Sequence, residues 1–432
     1  MKKISALLLA MAMVLSLAAC GGTEAKPTDA PQAGNDTPAT EGNTPADTTP
    51  AEAEAITLKV WAPQEDQVDA NAWLCQMQAA FQAAHPEYVI TWDNGVCPEG
   101  DAATMVTADP AAAADVYMFA NDQLGTLLQA GALAKLGGPF LEQVQNDVSA
   151  TYLNTVTATD GGVYGFPVAP NTWFMYYDKS VLTEEDVKTL EGVMAKGKVA
   201  FEVKNSWYLT AFFFAAGGTL FGETGADAAA GIQFGGEAGY AATNAVLDLL
   251  ENPNFKVDGD GYGNNGLKNG TVAAYFSGSW DYAGLFEALG ENLGAVPAPT
   301  VMINGEAKQL KAYAGSKVVG VNPNAKNMKA AMQFAAFLAS ADSQLLRFQL
   351  RNITPAVTVL AENADVAASI VAAAESATMA YASVAQPTIA EMNPVWGPVG
   401  TYGTNLADGT VTRENVAEMV ELLNGQLNGG GL

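Results

Sequence analysis

Histidine, cysteine and positive charge are scarce in this sequence. His85 is its one histidine, and Cys20, Cys75 and Cys97 are its only cysteines among 432 residues. That excludes most His/Cys zinc sites and any dense disulfide framework. Ser-His-Asp catalysis would have only His85 to use. Lys and Arg number 20 against 46 Asp and Glu, a net charge of −26. So acidic a chain is repelled by a phosphate backbone and by anionic lipid, so nucleic acid is not an expected partner. Gly217-Gly218 has neither a Gly-x-Gly-x-x-Gly nor a Walker lysine nearby and is no nucleotide site.

What is present is apolar. Hydrophobic residues make up 49% and charged residues only 15%, enough for a folded core and too apolar for a disordered chain. The length fits two large domains. Lys2 and Lys3 precede an apolar run from Ile4 to Ala19, the layout of a secretory signal. The run ends in Leu17-Ala-Ala-Cys20-Gly21, which resembles the bacterial lipoprotein cleavage box. Residues 1–19 are thus expected to be removed and Cys20 lipidated, anchoring the chain to the outer face of the cytoplasmic membrane. From Thr23 to Ala55 there are seven acids, one lysine and no aromatic or branched aliphatic residue. No core can form there, so residues 20–55 read as an extended tether, reaching at most on the order of 100 Å.

Beyond the tether, strand and helix patterns alternate. Ile56–Trp61, Tyr88–Trp92, Asp115–Phe119 and Lys198–Val203 read as strands, and Val272–Phe276 as an apolar stretch of the same kind. Trp73, Leu74, Met77, Phe81 and Ala84 recur at helical spacing, with Asp69 or Asn71 as cap and His85-Pro86 as stop. Further helices are expected from Gln123 to Gln129, from a cap at Thr183 to Lys196-Gly197, and around Met328–Leu338 and Val416–Leu427. The alternation implies an α/β fold with mostly parallel sheets covered by helices.

Ligands of such sheets bind beyond the carboxyl ends of the strands. Those ends are Trp61-Ala-Pro-Gln-Glu-Asp66, Phe119-Ala-Asn-Asp122, Lys204-Asn-Ser-Trp207-Tyr208 and Ser277-Gly-Ser-Trp280-Asp281. Each sets aromatic rings beside Asp, Asn or Gln. Ring faces suit the C–H faces of a pyranose, and carboxylates and amides suit its hydroxyls.

These segments carry a wider likeness. From about Ile56 to Gly425 the chain resembles the extracellular solute-binding proteins of maltose/maltodextrin type that serve ABC importers. Asp115–Asp122 is similar to the family's strand and turn whose Asp grips sugar hydroxyls. Val163–Val168 with Ala169–Trp173, and Tyr313–Val318, are similar to its two crossovers. Trp207, Phe276-Ser-Gly-Ser-Trp280 and Glu391-Met-Asn-Pro-Val-Trp396 stand where its stacking rings fall. The departures are Gln123 for a basic residue, Asn171 and Asn205 for two glutamates, and Phe119 for a tryptophan. The polar contacts thereby shift towards amides.

The resemblance implies a two-lobe periplasmic-binding-protein-like fold of type II, its cleft linked by a hinge. Residues 56–168 and 318–357 would form the N-terminal lobe, and 171–312 with 358–432 the C-terminal lobe. The ligand set it implies is Phe119, Asn121, Asp122, Asn171, Asn205, Trp207, Trp280 and Trp396. Phe119 and Asp122 would lie on one lobe and the three tryptophans on the other, with closure around an oligosaccharide, maltose or a malto-oligosaccharide first. It implies a monomer that passes sugar to the permease subunits of an ABC transporter, with no catalysis, cofactor or metal.

Other readings compete. A cation such as a polyamine or betaine also suits an aromatic, acidic site. A glycoside hydrolase needs two carboxylates flanking the scissile bond, and Asn171 and Asn205 replace the expected glutamates. His85, before Pro86, reads as a cap or surface residue. Asp258-Gly-Asp260-Gly-Tyr-Gly-Asn264 lacks the third ligand and closing glutamate of a calcium loop and reads as a glycine-rich turn. Glu184, Glu185 and Asp186 read as acids at a helix N-terminus. Pairing of Cys75 with Cys97 is left open by the sequence.

Overall fold

The computed structural model describes residues 53–222 and 224–429. The expected signal segment, Cys20 and nearly all of the expected tether lie outside them. The first strand, β1 (Glu54–Ala62), begins two residues earlier than the alternation foretold. It buries Ile56, Leu58, Val60 and Ala62 on one face. The remaining strands are β2 (Tyr88–Val96), β3 (Val116–Ala120), β4 (Phe166–Asn171), β5 (Phe174–Asp178), β6 (Val199–Phe201), β7 (Thr219–Leu220) and β8 (Ile232–Gln233). They continue with β9 (Phe255–Val257), β10 (Ala274–Ser277), β11 (Leu293–Val296), β12 (Thr300–Ile303), β13 (Glu306–Gln309), β14 (Ala312–Val321) and β15 (Ser383–Ala385).

They build two main sheets. One runs β15-β14-β3-β1-β2, with β4 also on β14, and the other runs β11-β5-β10-β6-β9. β7 with β8 and β12 with β13 form separate two-stranded sheets. β3 lies between β14 and β1, and all five of its residues are buried, as its unbroken Val-Tyr-Met-Phe-Ala run requires. The expectation of mostly parallel sheets needs correction: β14 is antiparallel to β3 and β4, and β5 is antiparallel to β10 and β11. Both strands adjoin the crossings between the sheets, and a chain returning from the other sheet meets its neighbours head-on.

Each sheet has its own core. One contains Leu58, Trp73, Phe81, Phe119, Val168, Val319 and Phe334; the other contains Trp173, Phe201, Phe212, Phe276, Val399 and Val420. Two sheets with separate cores make the two-lobe α/β architecture that the resemblance implies. The chain crosses between β4 and β5, returns into β14, and leaves again after β15. The register sets these three segments side by side, with Gly315 opposite Asn171 and Ala314 opposite Ala385. The floor between the lobes is therefore backbone from three distant stretches of sequence.

Local expectations mostly stand. The helix Trp73–Ala84 buries Trp73, Leu74, Met77 and Phe81, and His85 is its C-cap. Its N-cap is Ala72 rather than Asp69 or Asn71; Asp69 instead accepts the Asn71 backbone N–H at 2.7 Å. Thr183 and Asp186 close a turn, and the helix expected from Thr183 begins only at Leu190, capped by Thr189. Asp258 accepts the Gly259 and Gly263 N–H groups at 2.7 Å each, and Gly261 has φ 73°, the geometry of a glycine-rich turn. Cys75 and Cys97 are free thiols, and burial pushes Cys97 up to about 11.

Candidate functional site

Where the three crossings meet, a cleft of about 500 Å³ opens between the sheets. One wall follows β3. That strand ends in a tight turn, Asn121–Gln123, and the turn puts Asp122 on the cleft. Burial pushes its carboxyl up to about 7, although its own backbone N–H favours the anion. Gln123, in the place of a basic residue, lines the cleft but is occupied with the neighbouring loop. Its carbonyl accepts the Ala103 N–H at 2.6 Å and its amide donates to Glu99 O at 3.1 Å.

The opposite wall is the start of the helix Ser206–Ala215. Asn205 caps it, its Oδ1 accepting the Trp207 N–H at 3.0 Å while its Nδ2 donates to Glu202 at 2.7 Å. The cap places the Trp207 ring on the cleft. Trp280 stands next to it after β10, the ring centres 6.1 Å apart and tilted by 37°. Its ring is 39% exposed, which is unusual for so large an apolar group. Trp396, at the start of the helix Trp396–Ala407, reaches the same cleft and packs edge-on against Tyr313, 5.8 Å away. Asn171, the last residue of β4, completes the amides.

Five of the eight expected residues therefore line one cleft: Asp122, Asn171, Asn205, Trp207 and Trp396. Trp280 adjoins it through Trp207. Two do not reach it. Phe119 has no exposed surface; it packs in the core beside Tyr117, 6.0 Å away, because β3 is an interior strand with both faces covered. Asn121 is also fully buried, and its Oδ1 accepts the Ser316 N–H of β14 at 2.9 Å, closing the end of the ladder. At the end of β1, Asp66 is equally internal. Arg347 and Arg351 hold it at 2.6 and 2.8 Å.

Three cleft residues with charged or amide side chains escaped the sequence reading as ligand contacts: Glu99, Lys317 and Gln386. Lys317 was legible, being the one charge in the apolar run of β14. Its Nζ lies 3.5 Å from Glu99 Oε1 and 5.5 Å from the centre of the Trp280 ring. Burial works against the Glu99 anion, yet Lys317 and Arg347 outweigh it and hold its carboxyl below the usual range. Glu99 and Gln386 follow no motif; β15 is only three residues long, too short to announce its end. Among the described residues no group of three or more His, Cys, Asp or Glu side chains could hold a metal ion.

Comparison with known proteins agrees with this geometry. Residues 76–374 match the family described as bacterial extracellular solute-binding protein. A galactooligosaccharide-binding protein of Bacillus subtilis is 26% identical over 96% of both chains. A maltooligosaccharide ABC transporter solute-binding lipoprotein of Streptococcus pneumoniae is 27% identical over 66% of this chain and 69% of its own. A structure solved with acarbose is 47% identical, with a TM-score of 0.84, covering 87% of this chain and 99% of that one.

Proposed function

The chain belongs to the family of bacterial extracellular solute-binding proteins, and on that footing we propose that it captures an oligosaccharide between its lobes for delivery to the permease subunits of an ABC importer. The observation that carries this reading is the single cleft joining tryptophan rings from three separate segments to a carboxylate and two amides. Indole faces cover the C–H faces of a sugar, while Asp122, Asn171 and Asn205 address its hydroxyls. The relatives named for maltooligosaccharide and galactooligosaccharide, and the one solved with acarbose, support an oligosaccharide ligand. A malto-oligosaccharide is the first candidate, at micromolar affinity, about −8 kcal/mol.

Residues 56–168 and 318–357 form one lobe in this reading, and 171–312 with 358–432 the other, except that β15 joins the first sheet beside β14. Sugar bridging both favours the closed state through its contacts on each side. The monomeric domain works at the outer face of the cytoplasmic membrane, held by lipid on Cys20 and the tether of residues 20–55. Binding without catalysis is favoured by the state of the cleft carboxylates. Glu99 is tied to Lys317 and Arg347, which leaves Asp122 alone where a glycosidase needs a pair.

The test is tryptophan fluorescence of the mature chain carrying Cys20→Ser, titrated with maltotriose, acarbose, a galacto-oligosaccharide, a xylo-oligosaccharide and spermidine. A saturable change with maltotriose or acarbose and none with spermidine is expected. Trp280→Ala and Trp396→Ala should each weaken binding about tenfold, or about 1.4 kcal/mol. A response to spermidine alone would turn the reading to a cation-binding protein.

A further inference from the structure

We infer that Gln386 is a specificity-determining residue of the cleft, its side-chain NH2 donating to an acceptor oxygen of a neutral saccharide; this rests on the oligosaccharide reading above. Gln386 sits where the chain leaves β15 on its last crossing. Its backbone N–H donates to the Ala314 carbonyl at 3.3 Å, which sets it beside Gly315 of β14. The side chain fits there because residue 315 is glycine. A Cβ at that position would stand 2.9 Å from Gln386 Oε1 and 2.6 Å from Asn121 Oδ1.

The two ends of this amide are not equivalent. An indole N–H only donates. The bond from Trp207 Nε1 to Gln386, 3.4 Å long, therefore assigns the amide oxygen to the tryptophan and the NH2 to the other side. That NH2 has no hydrogen-bond partner, although Gln386 is only 4% exposed. Buried polar groups nearly always find a partner, because an unmade bond costs the desolvation of the group. Gln386 lines the cleft together with Asp122, Asn171 and Trp207, so a ligand there brings the missing acceptor.

The demand has a direction. An amide NH2 offers two N–H donors and accepts nothing. Its partner must be a hydroxyl, ring or glycosidic oxygen, and an ammonium in the same place would face donors only. Asp122 as a carboxylate and the Gln386 NH2 together present an acceptor and a donor to one ligand. A polyhydroxylated molecule satisfies both, and a polyamine satisfies only the first. Gln386 also steadies the indole that stacks on the sugar.

The experiment compares wild type, Gln386→Met and Gln386→Glu in the mature chain by calorimetric titration with maltotriose, acarbose and a galacto-oligosaccharide, with thermal melting alongside. Methionine keeps the volume and loses both polar ends. Glutamate keeps an acceptor for Trp207 and loses the donor. Both variants should bind the best sugar about tenfold more weakly, the scale of one neutral hydrogen bond. The glutamate variant should retain the wild-type emission maximum of the free protein, which the methionine variant shifts. A lower melting temperature with sugar affinity unchanged within twofold would overturn the proposal and assign Gln386 a structural role. The same affinity result without a change in melting would overturn the proposal equally and leave the amide to the second cavity that it borders, about 580 Å³ in volume and also lined by Ala314 and Ser383. A wild-type chain that binds none of the sugars would overturn the oligosaccharide reading, and this proposal with it.

Discussion

Asp122 is the residue whose chemistry depends most on where the fold puts it. As a free side chain it would ionise near 3.8; burial at the cleft raises it to about 7. In the proposed site its use to a sugar depends on that charge, because only the carboxylate accepts hydroxyl protons with both oxygens. Sugar affinity should therefore be greatest above pH 7 and fall as the pH drops through about 7. Asp122→Asn should be weaker at pH 8 and flat across that range. Calorimetric titrations at pH 5.5, 7 and 8.5 check this; a wild-type profile as flat as the asparagine variant would remove Asp122 from the ligand set. Asn205 shows the opposite case, a residue whose amide is already engaged by a helix cap and by Glu202. In the proposed site its value lies as much in orienting Trp207 as in any bond to ligand.

At the scale of elements, the helix Ile370–Tyr381 carries a buried charge problem. Glu375 is 1% exposed, and the Thr354 and Ser279 hydroxyls near its carboxylate do not close hydrogen bonds to it. Burial raises it from 4.5 to about 7, against the smaller opposing pull of Thr354, Ser279 and Lys317. The folded state thus holds a proton that the unfolded chain releases. The stability from this proton is full below pH 4.5 and is lost as the pH rises through about 7. By pH 8 the loss is about 3 kcal/mol. Glu375→Gln removes the ionisation and should melt higher than wild type at pH 8 while matching it near pH 4.5. Equal differences at both pH values would show that the carboxyl is not buried in this way. The element also matters to the site, because Ser279 beside Glu375 precedes the exposed ring of Trp280.

For the whole molecule, one ion cluster ties together stretches far apart in sequence. Arg347 donates to Asp66 at 2.6 Å and to Glu99 at 3.3 Å, and Arg351 adds a bond to Asp66 at 2.8 Å. The cluster joins the ends of β1 and β2 to the helix Ala341–Arg351, and through Glu99 it supports Lys317 in the cleft. Burial would raise Asp66, but the two arginines outweigh it and hold the carboxyl below its usual range. Its contribution is present above pH 3.8 and disappears as the pH falls through the depressed value. Arg347→Met leaves two buried carboxylates short of a partner and should cost roughly 3–5 kcal/mol in urea unfolding at pH 7. A loss under 1 kcal/mol would mean that the cluster reorganises around Arg351.

The sequence alone determined the local elements and the kind of chemistry. The alternation of Ile56, Leu58 and Val60, the helical spacing from Trp73 to Phe81 and the uninterrupted burial of β3 are periodic signals that act over a few residues. The pairing of rings with acids and amides at strand ends was equally legible, as was the family likeness built on it. Tertiary structure decided which of those residues share a cleft. Phe119 and Asn121 lie in the motif beside Asp122, but the covering of both faces of β3 and its last contact with β14 bury them. Gln386 and Glu99 joined the cleft through register and ion pairing, which link residues far apart in sequence and leave no mark on any short window. The antiparallel entry of β14 and β5 was hidden for the same reason. Strand direction depends on where the chain crosses between lobes, and that is settled by packing the two cores rather than by any run of residues.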